Sequence, residues 1–207
     1  MPTLKDFRDL IAAIPIGRHS EEVERDFWQR DFQNAQLSHI HENIFGSNST
    51  ARISREKILT TSNGVEKCLL ILLWGYTKGM RGNQHKKYLQ NSGKISEACS
   101  STDKTWEDFY KATKQIGNLG ISTITKLAYF HGLKFNNNPA LILDQRIINI
   151  LASEYWEELK SLSHIKYDNA GRKYVEYLER MKLVASDLKV DGAQLEFFLF
   201  GMGNVFD

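Results

Sequence analysis

The sequence predicts an all-α protein. Apolar residues recur at steps of three and four along most of the chain, which is the spacing of one helix face. Only three prolines interrupt the 207 residues, and no segment alternates apolar and polar side chains over more than a few positions. The 42% hydrophobic content is sufficient for a single domain over residues 1–207.

The first half of the chain is predicted to hold three helices. Residues 4–14 form an amphipathic helix, and Ser20 with the acidic residues after it is typical of the N-cap and first turn of the next helix. Residues 43–52, rich in Asn, Ser and Gly, are predicted to be a loop. Asn63 is predicted to cap a helix over residues 64–73 that is apolar on most faces, and this helix therefore belongs in the centre of the core.

The second half is predicted to hold further helices with glycine-rich breaks between them. Residues 74–83 carry three glycines and end the central helix, and residues 92–105, short of large apolar side chains, are predicted to be mobile. The predicted helices here cover residues 84–91, 106–116, 121–131, 144–151, 168–185 and 193–201.

Charge and cysteine content narrow the functional class. The net charge is +2 and the pI is about 8.4, so a nucleic-acid surface would be a local basic patch. Two cysteines cannot form a disulfide framework, which favours a reducing, cytoplasmic location. Neither a signal peptide nor a membrane-spanning run is predicted.

The most informative stretch is a helical hairpin over residues 116–131. Gly117 and Gly120 lie at its turn, and glycine permits backbone angles that other residues resist. Without side chains these glycines also let backbone N–H groups approach a phosphate at the start of the second helix. Ser122 or Thr123 is predicted to cap that helix. A loop follows, and then the segment 142–151, in which Asp144 begins a helix.

Residues 116–130 and 140–148 resemble the helix-hairpin-helix DNA glycosylase superfamily, and most of all its 8-oxoguanine DNA glycosylase branch. The likeness is in the glycine hairpin, the helix after it and the aspartate that opens the following segment. The hairpin departs from the family pattern in lacking a proline and in having Asn118 at a usual glycine position. The resemblance implies two helical lobes with a cleft between them, a monomer without metal or cofactor, and double-stranded DNA as the partner.

Asp144 and Lys126 are the catalytic candidates. A carboxylate near the anomeric carbon stabilises the positive charge that develops on the sugar during base excision. The alternative for Asp144 is a plain helix N-cap. The resemblance implies that Lys126 attacks the sugar as an amine, as in members that also nick the strand. Alignment on the glycines instead puts Ser122 or Ile124 at the lysine position, as in members that use water, and Lys126 is then a solvated surface lysine.

Two further groups of residues are candidates for contacts with DNA. The glycine-rich segment after the central helix combines aromatic rings with cations, which suits an everted base and phosphates. The resemblance also implies a contact from Arg146 to the DNA backbone and a wall of the base pocket near the C-terminus. The DNA-binding candidates are Gly117, Gly120, Ser122, Thr123, Arg146, Lys78 and Arg81; the base-pocket candidates are Trp74, Tyr76, Phe197 and Phe198, with Phe200 and Met202 beside them. The alternatives are a solvated charge run for the loop and core packing for the phenylalanines.

The sequence therefore predicts a DNA glycosylase that flips a modified base and cleaves its N-glycosidic bond, with a possible strand-nicking activity. The family-level substrate is 8-oxoguanine, and a hypermodified base of viral DNA is the alternative, which would make the role antiviral defence and not DNA repair. Such an enzyme would act at the prokaryotic nucleoid. Two other hypotheses remain: a non-catalytic helix-hairpin-helix protein that grips DNA, and a helical interaction protein whose hairpin is only structural.

Overall fold

A computed structural model describes residues 3–100 and 104–202, and the side chain of Arg81 lies outside this description. The described chain is all-α, as predicted. Its α-helices are α1 (Arg8–Ala12), α2 (Arg25–Asn34), α3 (Ser38–Phe45), α4 (Arg55–Thr60), α5 (Gly64–Gly75), α6 (Gln84–Gln90), α7 (Ser92–Ser100), α8 (Trp106–Gly117), α9 (Ile121–Phe130), α10 (Gln145–Ala152), α11 (Ala170–Leu188) and α12 (Gly192–Met202). Short 3-10 helices cover Leu4–Phe7, Ile16–Arg18, Arg81–Asn83 and Glu157–Leu162. Within these ranges none of the helices has the length and apolar character needed to cross a membrane.

Two small β-ribbons interrupt the helices. Strands β1 (Ser20–Glu24) and β2 (Thr50–Ser54) pair antiparallel, and β3 (Lys134–Phe135) pairs with β4 (Asn138–Pro139). The prediction of a helix capped by Ser20 was therefore wrong, as was that of a loop reaching residue 52. The acidic residues of β1 are typical of a helix start, but Val23 and its partner Ala51 are buried together, and this pairing joins segments that are distant in sequence.

Helix α5 lies at the centre of the core. The side chain of Asn63 caps it by accepting the N–H of Glu66 at 3.0 Å, as predicted, and every residue from Cys68 to Trp74 is buried. The helix packs against α7, α9 and the β1–β2 ribbon. Its C-terminus at Gly75 opens into the glycine-rich segment, so the central helix delivers Trp74 and the residues after it to one place.

Helix α7 corrects the prediction of a mobile segment over residues 92–105. Ile95, Ala98 and Cys99 are buried at the spacing of one helix face and contact the core. Small side chains suffice on this face because α7 packs closely against α5, and a search for large apolar residues overlooks them. Residues 101–103, the end of the predicted mobile segment, lie outside the described residues.

The hairpin has the predicted layout with different capping. Helix α8 ends at Gly117, Asn118 takes the left-handed conformation (φ 53°), and Gly120 is the N-cap of α9 without a side-chain bond. Ser122 and Thr123 therefore lie inside the first turn and do not cap it. Gly120 has an ordinary extended φ of −76°, so the backbone conformation does not require a glycine here. The close approach of Tyr167 does, because a Cβ on residue 120 would stand 2.5 Å from the Tyr167 hydroxyl.

The segment before α10 is pinned to its neighbours by buried hydroxyls. Thr125 on α9 accepts the N–H of Leu143 at 3.1 Å, the Tyr174 hydroxyl bonds both backbone groups of Leu141, and the Tyr177 hydroxyl donates to the carbonyl of Ile142 at 3.0 Å. Helices α9 and α11 thus fix the chain on both sides of this segment. As a result the start of α10 is placed beside the hairpin.

Candidate active site

A cavity of about 1040 Å³ opens beside the hairpin. The end of α5, the segment after it, the start of α9, the start of α10, and α12 all contribute to its walls. The lining side chains and backbone groups come from His19, Glu21, Arg55, Trp74, Gly75, Tyr76, Thr77, Gly79, Met80, Gln84, Asn118, Gly120, Ser122, Thr123, Lys126, Ile142, Asp144, Gln145, Arg146, Tyr167, Glu196 and Phe200. Asp144 and Lys126, which are 18 positions apart in the sequence, therefore face one space.

Asp144 both caps α10 and lines the cavity. Its Oδ1 accepts the N–H groups of Arg146 and Ile147, each at 3.1 Å. Both bonds end on Oδ1, so the cap leaves Oδ2 unused. The sequence offered a plain N-cap as the alternative to a functional carboxylate, and this geometry accommodates both roles in one side chain.

Lys126 is held inside the protein. Only 7% of the residue is exposed, so it is not the solvated lysine of the alternative interpretation. Its Nζ donates to Ser122 Oγ at 2.6 Å and lies 5.4 Å from the centre of the Tyr76 ring. A Cβ on Gly75 would stand 3.2 Å from Lys126 Cδ, so the glycine that ends α5 also makes room for this side chain. The packing against Gly75 and the bond to Ser122 thus hold the amine at the cavity wall.

A buried ion pair forms part of the wall. Arg55 is 1% exposed and Glu196 is not exposed at all; Arg55 Nη2 lies 3.1 Å from Glu196 Oε1. The guanidinium also lies between 5.1 and 5.3 Å from the ring centres of Trp74, Tyr129 and Phe197. Burial lowers the pKa of Arg55, but the charges of Glu196 and Tyr129 and their hydrogen bonds together raise it above its ordinary value, so the guanidinium stays charged. Burial raises the pKa of the Glu196 carboxyl, and the charge of Arg55 and its hydrogen bond oppose this shift.

His19 and Trp74 stand next to this ion pair. Their ring centres are 5.1 Å apart in an edge-to-face contact, and both residues line the cavity. Burial, together with the nearby charge of Arg55, lowers the pKa of His19 to about 4. The imidazole is therefore neutral at physiological pH. This part of the wall is aromatic and polar, in contrast to the amine and carboxylate near the hairpin.

The remaining DNA-binding candidates take different positions. Gly120, Ser122, Thr123 and Arg146 line the cavity, and Arg146 packs its guanidinium 4.7 Å from the Phe200 ring centre. Lys78 is exposed, between Thr77 and Gly79 of the cavity wall. Gly117 is buried beneath the turn, where a Cβ would stand 3.3 Å from Leu119. The side chain of Arg81 lies outside the described residues.

The base-pocket candidates divide into two groups. Trp74 and Tyr76 line the cavity, and the Tyr76 hydroxyl is 2.6 Å from Thr123 Oγ1. Phe198 packs against Phe7 and Trp156 in the core, so the prediction that it forms a pocket wall is corrected: on α12 it points away from the cavity.

Phe197 stands behind the cavity wall. It contacts the His19 ring at 4.7 Å between centres, and the α12 residues that line the cavity are Glu196 and Phe200.

Several lining residues were missed by sequence reasoning. His19, Arg55 and Glu196 come from three distant segments, and only their assembly in space gives them a common site. One signal was available: Glu196 is a single carboxylate within the apolar run from Leu195 to Phe200, and such a residue requires a buried partner. Among residues 3–100 and 104–202, no three His, Cys, Asp or Glu side chains come together to hold a metal ion.

The fold and the site define an all-helical protein whose helical hairpin adjoins a cavity that presents a lysine and a carboxylate. A family model described as "OGG: Putative 8-oxoguanine DNA glycosylase OGG-like protein" matches residues 14–200. The chain belongs to this family, which confirms the resemblance carried by the hairpin and the aspartate. No curated protein and no solved structure matches the chain significantly. Membership supports a DNA glycosylase kind of function, with DNA as the substrate.

Proposed function

We propose that this protein excises a modified base, in the first place 8-oxoguanine, from double-stranded DNA. The observation that carries the proposal is the position of Lys126 and Asp144 on one cavity beside the hairpin. An everted nucleotide that enters this cavity brings its sugar to an amine and a carboxylate while its base reaches the aromatic wall. Base flipping costs a few kcal/mol, and contacts inside the cavity offset this cost.

The hairpin is the element proposed to bind the DNA phosphates. In the first turn of α9 the N–H of Thr123 donates to the carbonyl of Gly120 at 3.0 Å. The N–H groups of Ile121 and Ser122 precede the first carbonyl that the helix could offer them, and such groups favour a phosphate. Gly120 and Ser122 bring this helix start to the cavity. Arg146 at the start of α10 and the exposed Lys78 supply cations near the same opening. The mild net charge of +2 fits a local patch of this kind.

The proposed chemistry has two steps. The N-glycosidic bond breaks, its electron pair leaves with the base, and the Asp144 carboxylate stabilises the positive charge on the sugar. The Lys126 nitrogen then bonds to C1′ through its lone pair. One proton of the amine goes to the departing base and the other to the ring oxygen as the sugar opens, which gives an imine. Elimination of the 3′ phosphate from the imine nicks the strand, and water finally releases the lysine. The burial of Lys126 and its bond to Ser122 favour this route over the attack of water.

The test is an excision assay on duplexes that each carry one modified base, with 8-oxoguanine first. After alkali treatment, wild-type protein should break the strand at the modified base, and Asp144→Asn should not. Lys114→Gln is the matched control for Lys126→Gln, because Lys114 Nζ on α8 also lies 5.4 Å from the centre of a tyrosine ring, that of Tyr110, but Lys114 is exposed. The Lys114→Gln variant should excise normally.

Borohydride trapping separates the two routes. A covalent protein–DNA adduct should form with wild type and with Lys114→Gln, and be absent with Lys126→Gln. Strand breaks without an adduct would indicate that water is the nucleophile. Tight, salt-dependent binding without any abasic product would instead favour a non-catalytic DNA-binding protein.

A further inference from the structure

Most of the buried polar atoms without a hydrogen-bond partner belong to residues that line the cavity. In the described part of the chain there are six such side-chain atoms, and four of them belong to lining residues: His19 Nδ1, Arg55 Nε, Trp74 Nε1 and Gln84 Oε1. A buried donor or acceptor without a partner is costly. These atoms are almost completely shielded from water in the free protein, and a ligand in the cavity that carries the complementary groups can satisfy them. Their grouping therefore points to a ligand that is recognised here by hydrogen bonds.

His19 and Trp74 offer one acceptor and one donor. Indole nitrogen is only a donor, and Trp74 is 6% exposed. His19 Nε2 lies 3.5 Å from Glu21 Oε1, which favours a proton on that nitrogen and leaves Nδ1 as an acceptor. Because the His19 pKa is lowered to about 4, mainly by burial and also by Arg55, the imidazole is neutral at physiological pH and keeps one acceptor nitrogen.

Arg55 and Phe197 pack against these two rings. The Arg55 guanidinium lies 5.3 Å from the Trp74 ring centre and 5.1 Å from the Phe197 ring centre. The Phe197 and His19 ring centres are 4.7 Å apart. The aromatic packing restricts rotation of both rings. The donor and the acceptor are thus held in place before a ligand enters.

We propose that His19 and Trp74 recognise the five-membered ring of an 8-oxopurine, with Nδ1 of His19 accepting from N7–H and Nε1–H of Trp74 donating to the C8 carbonyl oxygen. This inference rests on the proposed function. Guanine and thymine also carry a ring N–H beside a carbonyl on their pairing edges, so recognition of that edge would not separate damaged from normal bases. Recognition of the five-membered ring separates them, because N7 of an unmodified purine has only a lone pair, which would face the lone pair of His19 Nδ1. The six-membered ring is not read by this pair, so 8-oxoadenine should be bound as well as 8-oxoguanine.

The test is a binding measurement that needs no excision. Duplexes carrying 8-oxoguanine, 8-oxoadenine, guanine, adenine or a tetrahydrofuran abasic analogue are titrated with Asp144→Asn protein, and fluorescence anisotropy gives each Kd. The two 8-oxopurine duplexes should bind within about tenfold of each other and at least about tenfold more tightly than their unmodified counterparts. Adding His19→Phe or Trp74→Phe should remove this preference and leave the affinity for the abasic analogue unchanged.

Two further variants separate recognition from packing. His19→Asn keeps a carbonyl acceptor near the position of Nδ1 and should restore part of the preference that His19→Phe loses. Trp156→Phe is the matched control for Trp74→Phe, since Trp156 Nε1 is also buried without a partner but lies in the core against Phe7 and Phe198. It should bind all five duplexes like the parent.

Equal binding of 8-oxoadenine and adenine, or an 8-oxopurine preference that survives His19→Phe and Trp74→Phe, would overturn the inference. Failure of the proposed catalysis looks different, because wild type would then release no base while the His19-dependent preference remained. If the protein released some other base and showed no His19-dependent preference in binding, glycosylase activity would be supported, and the assignment of His19 and Trp74 to 8-oxopurine recognition would be wrong.

Discussion

Thr125 and Leu143 connect the two halves of the candidate site. The Thr125 hydroxyl donates to the carbonyl of Ile121 at 3.0 Å and accepts the N–H of Leu143 at 3.1 Å, and all of these groups are buried. The next residues in the chain are Lys126 and Asp144. This hydrogen bond therefore ties the hairpin helix that carries the amine directly to the segment that carries the carboxylate.

Replacing Thr125 by valine should therefore reduce stability and activity together. The substitution keeps the shape but leaves the Leu143 N–H buried without a partner, at a cost of about 1–3 kcal/mol in unfolding free energy. Excision should fall about 10- to 100-fold, because small displacements of reacting groups are costly. Urea unfolding and single-turnover excision measure the two effects.

Thr113→Val is the matched control for this change. The Thr113 hydroxyl is equally buried, but it bonds only to the carbonyls of Phe109 and Tyr110 in its own helix. Its loss should change the unfolding free energy by less than about 1 kcal/mol and leave excision unaffected. Equal activity losses in Thr113→Val and Thr125→Val would show that the bond to Leu143 does not position the site.

Asp144 should separate stability from catalysis. Asparagine retains an oxygen that caps α10, so Asp144→Asn should change the unfolding free energy by only a few tenths of a kcal/mol, whereas Asp144→Ala should cost about 1 kcal/mol. Both variants lose the negative charge beside the sugar and should excise at least about 100-fold more slowly. A fully active Asp144→Asn would reduce the residue to a structural cap.

The elements that the sequence predicted correctly are those with local causes. Asn63 caps α5 and Asp144 caps α10 through contacts within three residues, and the apolar faces of α8 and α9 repeat at helical spacing. The β1–β2 ribbon was missed because its stability comes from burial of Val23 against a partner strand 27 or more positions away, and three glutamates around that valine conceal the alternation.

The aromatic and ionic part of the cavity was not predictable for a related reason. Arg55 follows a serine in a segment that looks like a solvated charge run, yet it is buried against Glu196, 141 residues later. His19 belongs to a short connection without any motif. Local patterns identify helices and caps, whereas a site assembled from three separate segments needs the tertiary fold.

The Arg55–Glu196 pair should be costly to break and much less costly to replace. Glu196→Gln leaves a buried guanidinium without its counter-charge, and we expect a loss of about 3–5 kcal/mol in unfolding free energy. The double variant Arg55→Met/Glu196→Leu removes both charges and should lose clearly less than Glu196→Gln alone. Glu157→Gln, which removes a carboxylate from the exposed pair with Lys160, is the control and should cost less than about 1 kcal/mol. Equal losses for the buried and the exposed pair would contradict the ionic character assigned to the cavity wall.

Stability should decrease when the pH falls from about 6.5 towards 4, in part through His131. Burial, and to a lesser degree Lys67, lowers the pKa of this histidine to about 4, while in the unfolded chain it titrates near 6.5. Between these values the unfolded state binds the additional proton, so the free energy of unfolding rises with pH in this window and is constant, as far as His131 is concerned, above it. His131 Nε2 contacts Cys68 Sγ at 3.6 Å in the core, where a charge is poorly solvated.

His131→Asn should therefore show a shallower loss of stability between pH 6.5 and 4.5 than wild type, when each is referred to its own value at pH 8 in urea unfolding. Carboxylates that titrate in the same range are common to both proteins and cancel in this difference. Parallel curves for the two proteins would mean that His131 is protonated as readily in the folded state as in the unfolded one.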